Sequence, residues 1–228
     1  MKTSSTIHAV VFDLDDTLYP ERDYVRSGFA AVARRLAGAD RDAAAMEAYL
    51  WDNFLAGRSA KVFDAAGTHF GLNLSTADIA ELVDIYRTHR PAIQPYGGIP
   101  DFLALLREDH RLGLLSDGFL PAQEMKLEAL KLRRFFDEVL FSETLGRSAW
   151  KPSTQGFEAL SQRFDLPGSA MAYVADNPAK DFVAPNALGW RSIQFLRPGQ
   201  VHSRNPTPPG GEPKIILRDL GQLRAALR

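Results

Sequence analysis

There is no cysteine in the 228 residues. That absence excludes disulfide stapling, thiol catalysis and cysteine-ligated metals in one step, and it fits a reducing compartment. Charge of one sign is also lacking. The 27 Lys and Arg against 28 Asp and Glu leave a formal net charge of -1, so no global field draws the chain to nucleic acid or to a membrane surface. No stretch approaches the roughly 20 apolar residues of a transmembrane helix. The opening Met1-Lys2-Thr3-Ser4-Ser5-Thr6 leads straight into a short apolar run, without the longer apolar segment of a secretory signal. The expectation is a soluble, cytoplasmic protein with no nucleic-acid and no membrane partner. The composition that remains is ordinary. An apolar fraction of 45% supports a sizeable core, and the length suits one large domain or a core carrying a smaller inserted one.

The apolar run Ile7 to Phe12 has the β-branched and aromatic content of a buried strand, and it ends in Asp13-Leu14-Asp15-Asp16-Thr17. Carboxylates are costly inside an apolar sheet, whereas the C-terminal edge of an open α/β sheet is where ligands bind. Asp13 and Asp15, one residue apart, can serve as nucleophile and proton donor, and together they can hold a hard cation such as Mg²⁺. Taken alone, the same acids could simply cap a helix or line a solvated turn.

From Tyr19 the pattern turns helical. Val25, Phe29, Val32 and Leu36 mark one apolar face, and further helices are predicted over residues 42–55 and 58–70. Ser75 and Asp78 have capping-box spacing, followed by Ile79, Leu82, Val83 and Tyr86. Pro91, Pro95, Gly97, Gly98 and Pro100 then break the helical block. Beyond it, helix and strand alternate, with strands predicted at 112–115, 139–141, 171–175, 192–196 and 214–217 and helices at 102–107, 121–130, 156–164, 181–188 and 219–228. Such alternation implies a parallel sheet covered on both faces. The predicted organisation is an α/β protein, with a core of residues 1–19 and 93–228 and an all-helical insertion of residues 20–92. The proline- and glycine-rich stretch 197–213 reads as a long loop; its Arg197, His202 and Arg204 could reach over the site, and a plain surface excursion is the preferred alternative.

Four strand ends carry polar groups suited to one chemistry: Asp13 and Asp15; Ser116 with Asp117 and Gly118; Lys151 in Ser148-Ala149-Trp150-Lys151-Pro152; and Asp176 with Asp181. In a parallel sheet the strand C-termini share one edge, so these groups converge. Phosphoryl transfer needs charge neutralisation and in-line positioning. Asp13 can attack phosphorus. Mg²⁺ between Asp13 and Asp176 would screen the repulsion between two anions. The Ser116 hydroxyl and the amides around Asp117 and Gly118 can cradle phosphate oxygens at a helix start, and Lys151 can neutralise the remaining charge. Asp15 must be protonated to serve the leaving oxygen and ionised to activate water; neighbouring carboxylates would raise its proton affinity and the metal would lower it. Separately, each group has a structural reading: Ser116-Asp117-Gly118 as a turn, Lys151 as a surface lysine, Asp176 and Asp181 as helix caps.

Together the four resemble the motifs of the haloacid dehalogenase-like (HAD) hydrolase superfamily. Asp13-Leu14-Asp15-Asp16-Thr17 is similar to its DxDxT motif, Ser116 to its hydroxyl motif, Lys151-Pro152 to its lysine motif, and Asp176 with Asp181 to its acidic motif. The resemblance implies a Rossmann-like parallel-sheet core, Mg²⁺ dependence and a mobile helical cap in residues 20–92. It implies that Asp13 is the nucleophile and Asp15 the acid/base. It implies metal ligation by Asp13, the Asp15 carbonyl and Asp176, with Asp181 acting from behind them. The chain departs from the pattern at Ala175, where glycine is usual, at Asn177-Pro178, and in a slightly long approach to the lysine motif at 146–150.

The family's dehalogenases lack the second aspartate, so Asp15 favours phosphate chemistry. The expected function is hydrolysis of a small phosphorylated metabolite through an aspartyl-phosphate, by a monomer or homodimer. A phosphomutase acting on a sugar phosphate is the first alternative, followed by a dehalogenase or a catalytically silent binding protein. Asp16 is assigned no catalytic role, only a place in the turn or behind the reacting groups. Arg22, Arg26, Arg34, Arg58, Lys61 and Arg90 are candidate anion contacts of the insertion, and Trp51, Phe54 and Tyr86 are expected in its core.

Overall fold

The computed structural model of the protein describes residues 6–228; the secretory-signal expectation for Met1 to Ser5 lies outside the described residues. The chain divides into two compact units. One runs to Arg22 and resumes from Gln94 to Arg228; the other is Asp23–Ile93.

The first unit is built on a parallel sheet of six strands: β1 (Ala9–Phe12), β2 (Arg111–Ser116), β3 (Glu138–Phe141), β4 (Met171–Ala175), β5 (Arg191–Phe195) and β6 (Ile215–Leu217), in the order β3-β2-β1-β4-β5-β6. Every residue of β1 is buried, as expected of a central parallel strand covered on both faces. Strand order reverses at β1. The chain first winds outward through β2 and β3, then returns to pair β4 against the other side of β1. Such a reversal leaves a crevice at the strands' carboxyl ends. Phe12 lies opposite both Leu114 and Val174, so Asp13, the end of β2 and the end of β4 leave the sheet at one level.

The helices of this unit are α5 (Ile99–Leu106), α6 (Leu120–Ala129), α7 (Gln155–Phe164), α8 (Val183–Ala187) and α9 (Leu220–Ala226). Phe157, Leu160 and Phe164 of α7 pack with Val11, Leu115, Leu140, Tyr173 and Trp190, and burying each such side chain contributes about 1.5–3 kcal/mol. The Phe157 ring meets Tyr173 edge-on at 4.8 Å, which fixes the Tyr173 ring and hence the position of its hydroxyl. The predicted helix 181–188 is shorter than expected because Asp181 closes a turn, accepting the Asn177 amide at 2.9 Å.

The second unit holds most of α1 (Glu21–Ala37), with α2 (Ala43–Leu55), α3 (Val62–His69) and α4 (Thr76–Thr88). Val25, Phe29, Val32 and Leu36 are buried with Met46, Leu50, Phe63 and Leu82, and Trp51, Phe54 and Tyr86 pack against them. Ser75 and Asp78 form the expected capping box. The helix predicted from residue 58 begins only at Val62. The Arg58 amide instead donates to the Asn53 carbonyl at 2.8 Å, and Lys61 takes a left-handed φ of 53°.

Residues 197–205 run along the surface, none of them buried, but they are tied down. They hydrogen-bond to Asp16 through Gln200 and Val201 and to Asn177 through Asn205.

Candidate active site

Asp13 follows β1 and is buried, with its amide donating to the Val174 carbonyl at 2.9 Å. Lys151, reached through the irregular segment after β3, is buried beside it. Its ammonium lies 2.5 Å from Asp13 Oδ1, 2.8 Å from Asp181 Oδ1 and 2.8 Å from the Tyr173 hydroxyl. An ammonium has three protons and no acceptor, so these oxygens account for its place. Burial works to lower the Lys151 ammonium, but Asp13 and Asp181 hold it well above its ordinary value. Burial pushes the Asp13 carboxyl up to about 7 against the pull of Lys151.

Asp176, at the end of β4, is buried as well. Its Oδ2 has no hydrogen-bond partner, and burial with repulsion from Asp181 and Asp13 pushes its carboxyl well above the usual range. A buried acceptor without a donor is costly. Among the described residues no three acidic or imidazole side chains form a preassembled metal cage. Two carboxylates and a backbone carbonyl are nevertheless the kind of oxygen set with which Mg²⁺ is held beside substrate phosphate. The unpartnered Asp176 oxygen and the excess of buried carboxylate therefore fit a hard divalent cation.

Asp15 is held by a different set of partners. Tyr19 donates its hydroxyl to Asp15 Oδ1, Lys126 Nζ lies 2.8 Å from the same oxygen, and Gln123 Nε2 donates to Oδ2 at 3.3 Å. Burial works to raise the Asp15 carboxyl, yet Lys126 and Tyr19 hold it below the usual carboxylate range.

The Ser116 hydroxyl, at the end of β2, is buried and donates to Gln123 Oε1 at 3.2 Å. Gln123 thus joins Ser116 to Asp15. Gly118 has a φ of 130°, and a Cβ there would lie 2.3 Å from Gln123 Nε2, so glycine lets this bridge form. The Asp117 side chain points inward, where it accepts the Ser142 hydroxyl at 2.5 Å and the Lys151 amide at 3.2 Å. Lys180 lies 3.6 Å from Asp117 Oδ2. Burial and Lys151 work to lower the Lys180 ammonium, but the carboxylates around it hold it above its ordinary value.

The structure therefore gathers Asp13, Lys151 and Asp181 into direct contact and places Asp15, Ser116 and Gln123 in one chain of hydrogen bonds. Gln123, Lys126, Tyr19 and Tyr173 were not singled out from the sequence. Gln123 and Lys126 stand three apart on α6, and residues at that spacing share a helix face.

Residues 7–189 match the haloacid dehalogenase-like hydrolase family. The chain belongs to that family. Over 204 residues, covering 84% of each chain, this hydrolase is 31% identical to the glyceraldehyde 3-phosphate phosphatase of Methanopyrus kandleri. It is 29% identical to the ribulose-1,5-bisphosphate 5-phosphatase of Halopiger xanaduensis, over 82% of this chain and 84% of the other. Among solved structures, the magnesium-bound HAD hydrolase YfnB of Bacillus subtilis superimposes with a TM-score of 0.75 at 19% identity, covering 98% of this chain and 100% of that one; this likeness concerns the fold. Among the described residues no helix is long and apolar enough to cross a membrane.

Proposed function

We propose that this hydrolase is a Mg²⁺-dependent phosphatase of a small phosphorylated metabolite, working through an aspartyl-phosphate on Asp13. The observation that carries this reading is the second carboxylate, Asp15, anchored by Lys126, Gln123 and Tyr19 beside a nucleophile paired with Lys151. A displacement at carbon with a halide leaving group needs no proton donor, whereas expulsion of an alkoxide from phosphorus does.

In the proposed reaction an Asp13 oxygen bonds to phosphorus as the phosphorus–oxygen bond to the alcohol breaks. Asp15, in its protonated form, gives its proton to the departing oxygen. Asp15 then takes a proton from water, whose oxygen attacks phosphorus, releasing inorganic phosphate and restoring the Asp13 carboxylate. Lys151, Ser116 and the amides of Asp117 and Gly118 neutralise and position the phosphoryl oxygens. Asp13, Asp176 and the Asp15 carbonyl would hold Mg²⁺, which when bound supplies charge screening between Asp13 and the phosphate. Asp181 keeps Lys151 and the Asn177 amide in place. The helical unit is proposed to be the specificity-bearing cap. The cytoplasm is the proposed location, supported by the absence of cysteine.

The relatives named for glyceraldehyde 3-phosphate and ribulose bisphosphate support sugar phosphates as the substrate class. The test is phosphate release from a panel of phosphorylated sugars, nucleotides and acids, with Asp13→Asn and chelated enzyme alongside. Release that depends on Asp13 and on Mg²⁺ is expected. Substantial turnover by Asp13→Asn would remove Asp13 as nucleophile, and isomerised product without free phosphate would make the enzyme a mutase.

A further inference from the structure

Asp16 has no part in the proposed chemistry, yet it is among the most constrained residues of the molecule. It is fully buried and adopts a left-handed φ of 54°, a conformation disfavoured for L-residues and least so for Asn and Asp. Both of its carboxylate oxygens accept backbone amides, Oδ1 from Glu21 at 2.8 Å and Oδ2 from Val201 at 2.5 Å. Its own carbonyl accepts Gln200 Nε2 at 2.7 Å.

Gln200 is equally committed. Its amide nitrogen also donates to the Phe195 carbonyl at 2.9 Å, and its Oε1 accepts the Arg197 amide at 2.7 Å. A few residues on, the Ser203 carbonyl accepts Gln194 Nε2 at 3.0 Å, and the same nitrogen donates to the Asp176 carbonyl at 2.8 Å. Asn205 Nδ2 reaches Asn177 Oδ1 at 3.3 Å. One short segment therefore ties down the turn that follows β1 and the turn that follows β4. Those turns carry Asp13 and Asp15 on one side and Asp176 and Asp181 on the other.

We infer that residues 197–205 are a strap that sets the spacing between these two turns, and that Asp16 and Gln200 are positioning residues for the hydrolytic reaction. The inference rests on the phosphatase reading for its activity arm. It rests on hydrogen bonding alone for the strap itself. Misplacement of reacting groups by about 1 Å can cost about 10²-fold in rate, so loosening the strap acts on turnover more than on substrate binding. Ordinary loop anchoring makes a different prediction. The far end of the same excursion is held by Asn186, whose Nδ2 donates to the Gly210 and Glu212 carbonyls at 2.9 and 2.8 Å. If anchoring were all that mattered, loss of Asn186 would act like loss of Gln200.

The experiment compares Gln200→Ala, Asp16→Asn, their double variant and Asn186→Ala in the full chain. Hydrolysis of an aryl phosphate is assayed well below each unfolding midpoint, and amide hydrogen exchange is read over residues 13–18 and 176–181. Asn at 16 tolerates the left-handed backbone but turns an NH₂ toward one of the two donors. Expected are a kcat reduced about 10- to 100-fold in Gln200→Ala and Asp16→Asn with KM changed less than about 3-fold. The double variant is expected to lose less than the product of the two, with faster exchange at both turns and a near-normal kcat in Asn186→Ala. An unchanged kcat in Gln200→Ala, or an equal loss in Asn186→Ala, overturns the positioning role. Unchanged exchange at both turns in Gln200→Ala overturns the strap whether or not the wild-type protein hydrolyses aryl phosphate; a wild-type protein inactive on every phosphate ester sinks the phosphatase reading separately.

Discussion

Lys126 shows how one buried ammonium can decide what a neighbouring acid does. It lies 2.8 Å from Asp15, with its side chain only 6% exposed, so it favours the carboxylate, the form that activates water. Asp15→Asn should lower kcat by about 10²- to 10⁴-fold, the range for loss of a general acid–base. Lys126→Met should lower it less. Added to Asp15→Asn it should change little, because Lys126 acts through Asp15. A further tenfold loss in the double variant would mean that Lys126 meets the substrate directly. Lys151 differs in kind, since it compensates two buried carboxylates at once. Lys151→Met leaves both uncompensated and should cost about 3–5 kcal/mol in denaturant unfolding of the metal-free protein. Lys151→Arg should not restore activity, because a planar guanidinium cannot replace a compact ammonium among three converging oxygens. Asp13, Asp15, Ser116 and Asp176 were legible as residues because polar groups at the ends of apolar strands stand out; Lys151, expected at a strand end, lies instead in the irregular segment beyond β3, and Asp181 in the turn beyond β4, so both were legible only through the motifs they resemble. Gln123, Lys126 and Tyr19 were not, because nothing in a helical sequence marks which polar side chains turn inward.

Among the elements, α4 was the most legible, since its start is written in local chemistry. Ser75 Oγ accepts the Asp78 amide at 3.2 Å, while Asp78 Oδ2 accepts the Ser75 amide at 2.7 Å. Ser75→Ala should destabilise the helical unit by about 1 kcal/mol, read as a lower unfolding midpoint. The Ser75 hydrogen bonds hold the Asp78 carboxyl below its ordinary 3.8. Its folded value is depressed, so its contribution is present above that ordinary value and is lost as pH falls through the folded one. The Ser75→Ala penalty, measured by urea titration, should therefore shrink in strong acid; a penalty independent of pH would remove Asp78 from the cap. Segment 197–205 was illegible for the opposite reason. Its tethers are pairings between residues as far apart in sequence as Gln200 and Asp16. Proline and glycine content reports only that a stretch is neither helix nor strand. The late start of α3 has the same origin, because Asn53 takes up the Arg58 amide and side chain.

At the scale of the molecule, all three proposed metal ligands belong to the sheet unit, and this decides where Mg²⁺ should be felt. A ligand that binds only the folded state stabilises it by about 2.7 kcal/mol at one hundred times its dissociation constant. For a chain of this length that is roughly 5–11 °C in Tm. If the two units melt separately, only the transition of the sheet unit should move. Asp176→Asn provides the internal control. It removes a proposed ligand together with a buried carboxylate that Asp13 and Asp181 repel, so the variant should lose most of the Mg²⁺-dependent shift. Without metal it should melt no lower than the metal-free wild type, because the repulsion is relieved. Calorimetry on both proteins, with chelator and with saturating Mg²⁺, separates the two effects. A variant that keeps the full shift would place the cation elsewhere. A variant that melts lower without metal would mean that Asp176 holds the sheet edge together through bonds of its own, leaving the unpartnered oxygen without a metal to explain it.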